Sequence, residues 1–184
     1  MASNSNAATF AAIRLTIESW RWQDVPFYLR AGKRLPVTCT EVMVRLRRPP
    51  TIYRSEKIEP NHLRLRISPD MTIALGMMIL AAGSNMGGSA VEMLVSHHPN
   101  AGEVNAYERL LGDALAGDAT LFAREDYVEE AWRIVDPLLK TNTSLYMYEP
   151  GSWGPDEAQR LAPPGGWHNP KATDPGSRDV FDAA

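Results

Sequence analysis

The order of apolar and polar side chains divides the chain into an alternating first half and a helical second half. Residues 10–22, FAAIRLTIESWRW, set Ile13, Leu15 and Ile17 on one side and Arg14, Thr16 and Glu18 on the other. That period of two predicts a strand with one wet face. The stretch VPFYLRA, 25–31, is rich in β-formers, and Pro26 restricts it to an edge position or a strand start. In EVMVRLRR, 41–48, Val42, Val44 and Leu46 alternate with Met43, Arg45 and Arg47 until Pro49 and Pro50 stop the pattern. HLRLRIS, 62–68, repeats it with Leu63, Leu65 and Ile67, and Pro69-Asp70 signals a turn. TIALGMMIL, 72–80, and SAVEMLVSH, 89–97, read as fifth and sixth strands around the flexible loop AAGSNMGGS.

The period then changes. EVNAYERLLGDALAG, 103–117, spaces Val104, Tyr107, Leu110, Leu111 and Leu115 at helical intervals, and Gly117 suits the C-terminal end. REDYVEEAWRIVDPLLK, 124–140, predicts a second amphipathic helix with Val128, Ala131, Trp132 and Val135 on one side. Its acidic residues come early, where the helix dipole favours them, and Pro137 is expected to end or kink it. A Gly/Pro-rich region from 149 holds one short helix near 155–161. Residues 1–8 read as a flexible N-terminal segment, 9–170 as the folded domain and 171–184 as a loose tail. Strands come first, joined by segments too short for helical crossovers, and helices follow. This order predicts an α+β domain: a large, mostly antiparallel sheet with helices packed on one face.

Composition narrows the function. The 184 residues suffice for one domain with a core and are too few for two enzyme domains with a full cofactor site. A net charge of −3 argues against nucleic-acid binding. Arginines crowd the first third at 45, 47, 48, 54, 64 and 66, while Glu and Asp dominate from 103 to 136. Cys39 is the single cysteine, which suits a reducing compartment. No stretch approaches the roughly 20 apolar residues of a membrane span. The start MASNSNAATF lacks the basic and apolar regions of a signal peptide, so a cytoplasmic location is expected.

The chemistry-bearing motifs are few. There is no GxGxxG and no GxxxxGK[ST], and Gly83, Gly87 and Gly88 sit between two strands, as in a hairpin loop. His62, His97, His98 and His168 show no metal-ligand spacing, and nothing marks a nucleophilic triad. Trp20 and Trp22, at i and i+2, read as sheet core or subunit interface before they read as a base-stacking platform. The Arg faces of 41–48 and 62–68 leave three readings open: a solvated face, a dimer surface with Glu partners, or an anion site. One cluster stands out. Arg30, Lys33 and Arg34 flank Gly32 where an apolar run ends. Fixed cations beside a glycine suit a phosphate ester. Spacing by itself leaves a solvated strand end as the simpler reading.

Longer stretches carry more. SWRWQDVPFYLRAGKRLPVTCTEV resembles the signature that opens the C-terminal β+α domain of glucose-6-phosphate dehydrogenases. NAYERLLGDALAGDATLFAREDYVEEAWRIVDPLL resembles the family's helical segment, and YEPGSWGPDEAQRL its closing Gly-rich turn and short helix, in the same order. The resemblance covers about residues 9 to 170. It implies the C-terminal substrate-binding and dimerisation domain of an enzyme that oxidises glucose 6-phosphate to 6-phosphogluconolactone with NADP, in the pentose phosphate pathway. The family's Rossmann fingerprint, its DHYLGK-like segment and its general-base histidine have no counterpart here. No catalytic residue is therefore assigned, and the chain is expected to be inactive alone. It would pair with a second copy through the sheet, or with a separate N-terminal Rossmann chain. The alternative is a non-catalytic scaffold or regulatory subunit that pairs with itself or with a full-length enzyme.

The resemblance also implies site residues. Lys33 falls on the lysine that contacts the sugar phosphate. Thr38 stands where the family commonly has a second cation, which implies weak binding of glucose 6-phosphate. Arg30, Arg66 and Trp167 fall on positions that some members use for a structural NADP. Ala74 and Gly76 replace a tyrosine and a lysine there, which argues against tight cofactor binding by this chain.

Overall fold

The computed structural model describes residues 7–48, 59–80, 88–97, 104, 106–141 and 144–172. Residues 1–6, the loop positions 81–87, His98 and the tail from 173 lie outside the described residues, so the expectations placed on them stay there. The elements run β1 (Phe10–Thr16), β2 (Pro26–Gly32), β3 (Thr40–Arg45), β4 (His62–Ser68), β5 (Met71–Leu80), β6 (Gly88–His97), α1 (Ala106–Ala116) and α2 (Glu125–Lys140), then a 3₁₀ turn at Asp156–Leu161. Every strand pairing is antiparallel, and the class is α+β as the pattern predicts. The strands divide into a two-stranded sheet, β1-β2, and a four-stranded sheet, β3-β4-β5-β6. No helix is long and apolar enough to cross a membrane among the described residues.

Strand β1 is shorter than its alternation suggests. Its last partner pair is Thr16 with Pro26. Proline donates no ladder hydrogen bond, so the ladder stops there. Residues 19–24 form turns instead, with Trp22 N–H donating to the Ser19 carbonyl at 3.1 Å and Asp24 at φ 61°. The two tryptophans accordingly leave the strand. Trp20 is fully exposed, and Trp22 packs its ring edge against Phe27 at 5.2 Å. The expected sheet-core role does not hold for Trp20.

In the four-stranded sheet the register sets Arg66, Arg64 and His62 of β4 beside Thr72, Ala74 and Gly76 of β5. These in turn face Ser96, Leu94 and Glu92 of β6. Because cross-strand partners share a face, this is one continuous surface. Arg66, Thr72 and Ala74 on it are buried. The opposite face, with Val42, Val44, Ile67, Ile73, Ile79, Met93 and Val95, is exposed, each residue by 42–68%.

Residues 99–145 form a compact unit of their own. Gly117 at φ 72° ends α1: its N–H donates to the Ala114 carbonyl, and the Asp118 N–H to the Asp113 carbonyl at 2.8 Å. This double bond pattern needs a left-handed residue, which glycine supplies without strain. Helix α2 starts with Glu125 and Asp126, closes with Lys140, and runs through Pro137 instead of ending there. The ring removes one intrahelical hydrogen bond, the one that would reach the Arg133 carbonyl, and the rest of the last turn stays helical. Neither helix buries a residue.

Candidate functional site

The cationic cluster lies where β2 turns away from its partner. The turn is held through its backbone. Lys33 N–H donates to the Thr9 carbonyl at 2.8 Å, and the Gly151 N–H to the Arg34 carbonyl at 2.8 Å. The Tyr148 hydroxyl donates to the Lys33 carbonyl at 2.7 Å. Arg34 sits at φ 53°, left-handed backbone that costs a non-glycine residue about 1–2 kcal/mol. The side chains of Lys33 and Arg34 are exposed, and the Lys33 ammonium has no carboxylate partner among the described residues. Thr38 is exposed in the segment that leads to β3.

Arg30, three residues before Lys33, behaves differently. Its guanidinium lies 4.7 Å from the Trp153 ring centre and 5.2 Å from that of Trp167. Its Nη2 donates to the His168 carbonyl at 2.8 Å and to Asn169 Oδ1 at 2.7 Å. Trp167 is fixed in turn by its indole N–H, which donates to the Ala158 carbonyl at 3.0 Å, and by an edge contact with Tyr28. Burial draws the Arg30 pKa below its ordinary value without taking away its charge.

Arg66 does not join that stack. It belongs to a charge network on the buried face of the four-stranded sheet. Its Nε donates to Glu41 Oε2 at 2.8 Å, and its Nη2 to the Lys171 carbonyl at 2.7 Å. The other Glu41 oxygen lies 2.5 Å from His168 Nε2, and the Glu41 side chain is only 1% exposed. Burial pushes this carboxyl up, yet hydrogen bonds from Arg66 and His168 outweigh it and leave the pKa below the ordinary value. Burial is also the main reason that the Cys39 thiol is pushed up; the Glu41 charge adds to this and the Arg66 charge opposes it. Arg64 reaches across the sheet to Glu92 with both oxygens at 2.9 Å, and His62 lies 3.8 Å from the same carboxylate. Small residues make the crossing possible. A Cβ on Gly76 would stand 2.1 Å from His62 Cε1, so the imidazole occupies that space.

The three readings left open for the Arg faces thus narrow. Arg64 and Arg66 find Glu partners within their own chain, and Arg45 donates to the Pro164 carbonyl at 2.8 Å. Residues 164–171 lie against part of this surface, while Arg47 and Arg48 are exposed. Of the residues implied by resemblance, Arg30 and Trp167 touch. Arg66 donates to the Lys171 carbonyl, in the segment that follows Trp167, and Lys33 and Thr38 stay exposed on the connection from β2 to β3. Glu41, Tyr148, Trp153 and His168 were not signalled as a group. The available hint was one carboxylate in β3, Glu41, and one in β6, Glu92.

The sequence profile described as glucose-6-phosphate dehydrogenase, C-terminal domain, matches residues 1–168. The chain belongs to this family. It is 41% identical over 173 residues to glucose-6-phosphate 1-dehydrogenase of Aggregatibacter actinomycetemcomitans, covering 90% of this chain and 35% of the relative. The Treponema pallidum protein of that name is 44% identical over 185 residues, with 90% and 35% covered. Among solved structures, glucose-6-phosphate 1-dehydrogenase from Mycobacterium avium superposes with a TM-score of 0.79 at 38% identity, covering 94% of this chain and 38% of that one. A glucose-6-phosphate dehydrogenase in complex with its substrate glucose 6-phosphate gives 0.72 at 29% identity, with 89% and 35% covered. The chain therefore spans about a third of the length of the relatives it matches.

Proposed function

We propose that this chain is the substrate-contacting and self-associating domain of a glucose-6-phosphate dehydrogenase, the NADP-dependent oxidoreductase of the pentose phosphate pathway. The observation that carries the reading is the Lys33 turn: its backbone is tied at three points while its ammonium stays exposed, with no carboxylate partner among the described residues. A sugar phosphate needs a fixed cation of this kind. Thr38 offers a hydroxyl where a second cation would strengthen the clamp, so affinity for glucose 6-phosphate is weak. Calorimetry with glucose 6-phosphate tests this. Lys33→Ala is expected to lower affinity about 10- to 100-fold, the worth of a hydrogen bond to a charged group. Identical isotherms for variant and parent would count against the reading.

The chain alone is proposed to be inactive. It has no Gly-rich pyrophosphate turn and no assigned base, and hydride transfer needs both a held nicotinamide and a base. A Rossmann portion, such as the additional length of the relatives would supply, completes the enzyme. Turnover of NADP by the pure chain would refute this. A structural NADP is not proposed either, because Arg30 is stacked between two indoles, Arg66 is spent on Glu41, and His62 fills the space above Gly76.

Self-association rests on the exposed apolar face of the four-stranded sheet, which favours pairing with a second copy or with a full-length enzyme. The same face would serve a non-catalytic scaffold. Light scattering on a sizing column that shows a clean monomer would argue against both. A reducing, cytoplasmic setting agrees with the single thiol at Cys39.

A further inference from the structure

We propose that Tyr148 is a positioning residue for the Lys33 turn. The inference rests on the sugar-phosphate reading above and extends it to a residue outside the cationic cluster. Tyr148 lies 115 residues from Lys33 in sequence, yet its hydroxyl donates to the Lys33 carbonyl at 2.7 Å. The same oxygen lies 3.2 Å from the Thr9 carbonyl and 3.4 Å from Thr9 Oγ1. Thr9 precedes β1 and Lys33 follows β2, so one phenol joins the two chain segments that leave this end of the hairpin. Thr9 and Lys33 are already joined by the Lys33 N–H. The phenol closes that link from the other side.

The turn needs such closure. Arg34 holds a left-handed backbone at φ 53°, which neither a free chain nor an arginine prefers. Two contacts from one stretch, Tyr148 to the Lys33 carbonyl and Gly151 N–H to the Arg34 carbonyl, act on adjacent carbonyls of the turn. The phenol is itself aimed: its ring packs against Phe10 at 5.5 Å. Phe10 occupies the space that Gly154 leaves, where a Cβ would stand 2.3 Å from the Phe10 ring. The aromatic pair therefore fixes the hydroxyl, and the hydroxyl fixes the carbonyl of the residue whose ammonium is exposed. A preset cation gives up less freedom on binding an anion than a mobile one.

The test compares four forms of the 184-residue chain: parent, Tyr148→Phe, Lys33→Ala and Leu75→Val. The last trims a strand residue of β5, away from the turn, and controls for stability. Glucose 6-phosphate and inorganic phosphate are titrated into each by calorimetry, and amide exchange is followed at Lys33 and Gly151. Tyr148→Phe is expected to weaken both probes about fivefold, the worth of one neutral hydrogen bond, and to speed exchange at Lys33. Leu75→Val leaves affinity unchanged. Parent-like affinity and exchange in Tyr148→Phe overturn the positioning role and leave the phosphate reading standing. A parent chain that binds neither probe overturns the phosphate reading, and this inference with it.

Discussion

Glu41→Gln isolates the network that anchors residues 168–171 to the four-stranded sheet. The Glu41 carboxylate is 1% exposed, and its partners are Arg66, itself 5% exposed, and His168. Arg64 stands 3.7 Å away and also answers to Glu92. Glutamine keeps the shape and removes the charge, so the buried Arg66 cation faces a neutral amide where it had a carboxylate, while the Lys171 carbonyl still accepts from it. Removing one partner of a buried ion pair costs about 3–5 kcal/mol. Arg64 and the one-third exposed His168 let some screening in, so the lower end, about 3 kcal/mol, is expected. Against a typical domain stability of about 5–15 kcal/mol this is a large fraction. Urea unfolding followed by circular dichroism reads it directly. The pH profile supplies a second arm. The folded pKa of Glu41 lies below its ordinary 4.5, so its contribution is fully present above pH 4.5 and is lost as pH falls toward the folded value. The parent should therefore lose stability below pH 4.5 faster than Glu41→Gln. Subtracting the two profiles removes the other carboxylates that titrate in that range. A stability loss under about 1 kcal/mol, with a difference profile flat through this window, would refute the claim that Glu41 anchors the segment.

Two further substitutions test packing around these sites. Gly76→Ala places a methyl where His62 now lies, so the imidazole must swing away from Glu92. A cost of about 1 kcal/mol is expected in the parent, and none in a His62→Ala background, where the strand gains a side chain; an equal cost in both backgrounds would show that the ring is not the obstacle. Arg30→Lys keeps the charge but loses the planar group held between Trp153 and Trp167 and the paired donation to His168 and Asn169. It should destabilise by about 1–2 kcal/mol and alter tryptophan emission, and a variant indistinguishable from the parent by urea unfolding would mean that the stack contributes little.

The strands from 62 to 97 and the ends of α1 and α2 were legible to within a few residues. Each follows from a period of two or of 3.6 that is complete within a short window. Even the end of α1 could be read, because Gly117 meets a local demand for left-handed backbone. Strand β1 was overread for an equally local reason: alternation continued past Thr16, but Pro26 on the partner strand ended the ladder. What alternation does not say is which face is covered. A solvated side was one of three readings of the Arg face of β4, yet this face is the more buried one, because Glu41 and Glu92 pair with Arg66 and Arg64 and residues 164–171 lie against it. A charged residue reads as exposed only until its partner is known, and that partner is set by register. The candidate site shows the same limit more sharply. Arg30 is held by residues 138 and 139 positions away, and Lys33 by one 115 positions away. No window on the sequence contains such pairs. Gly32 and the surrounding cations point to the proposed anion site only through likeness to a family, because the features that hold the turn are mostly backbone contacts that any residue type could supply. The hydroxyl of Tyr148 is the exception: it is a side chain, it is specific, and a substitution can remove it without touching the turn itself.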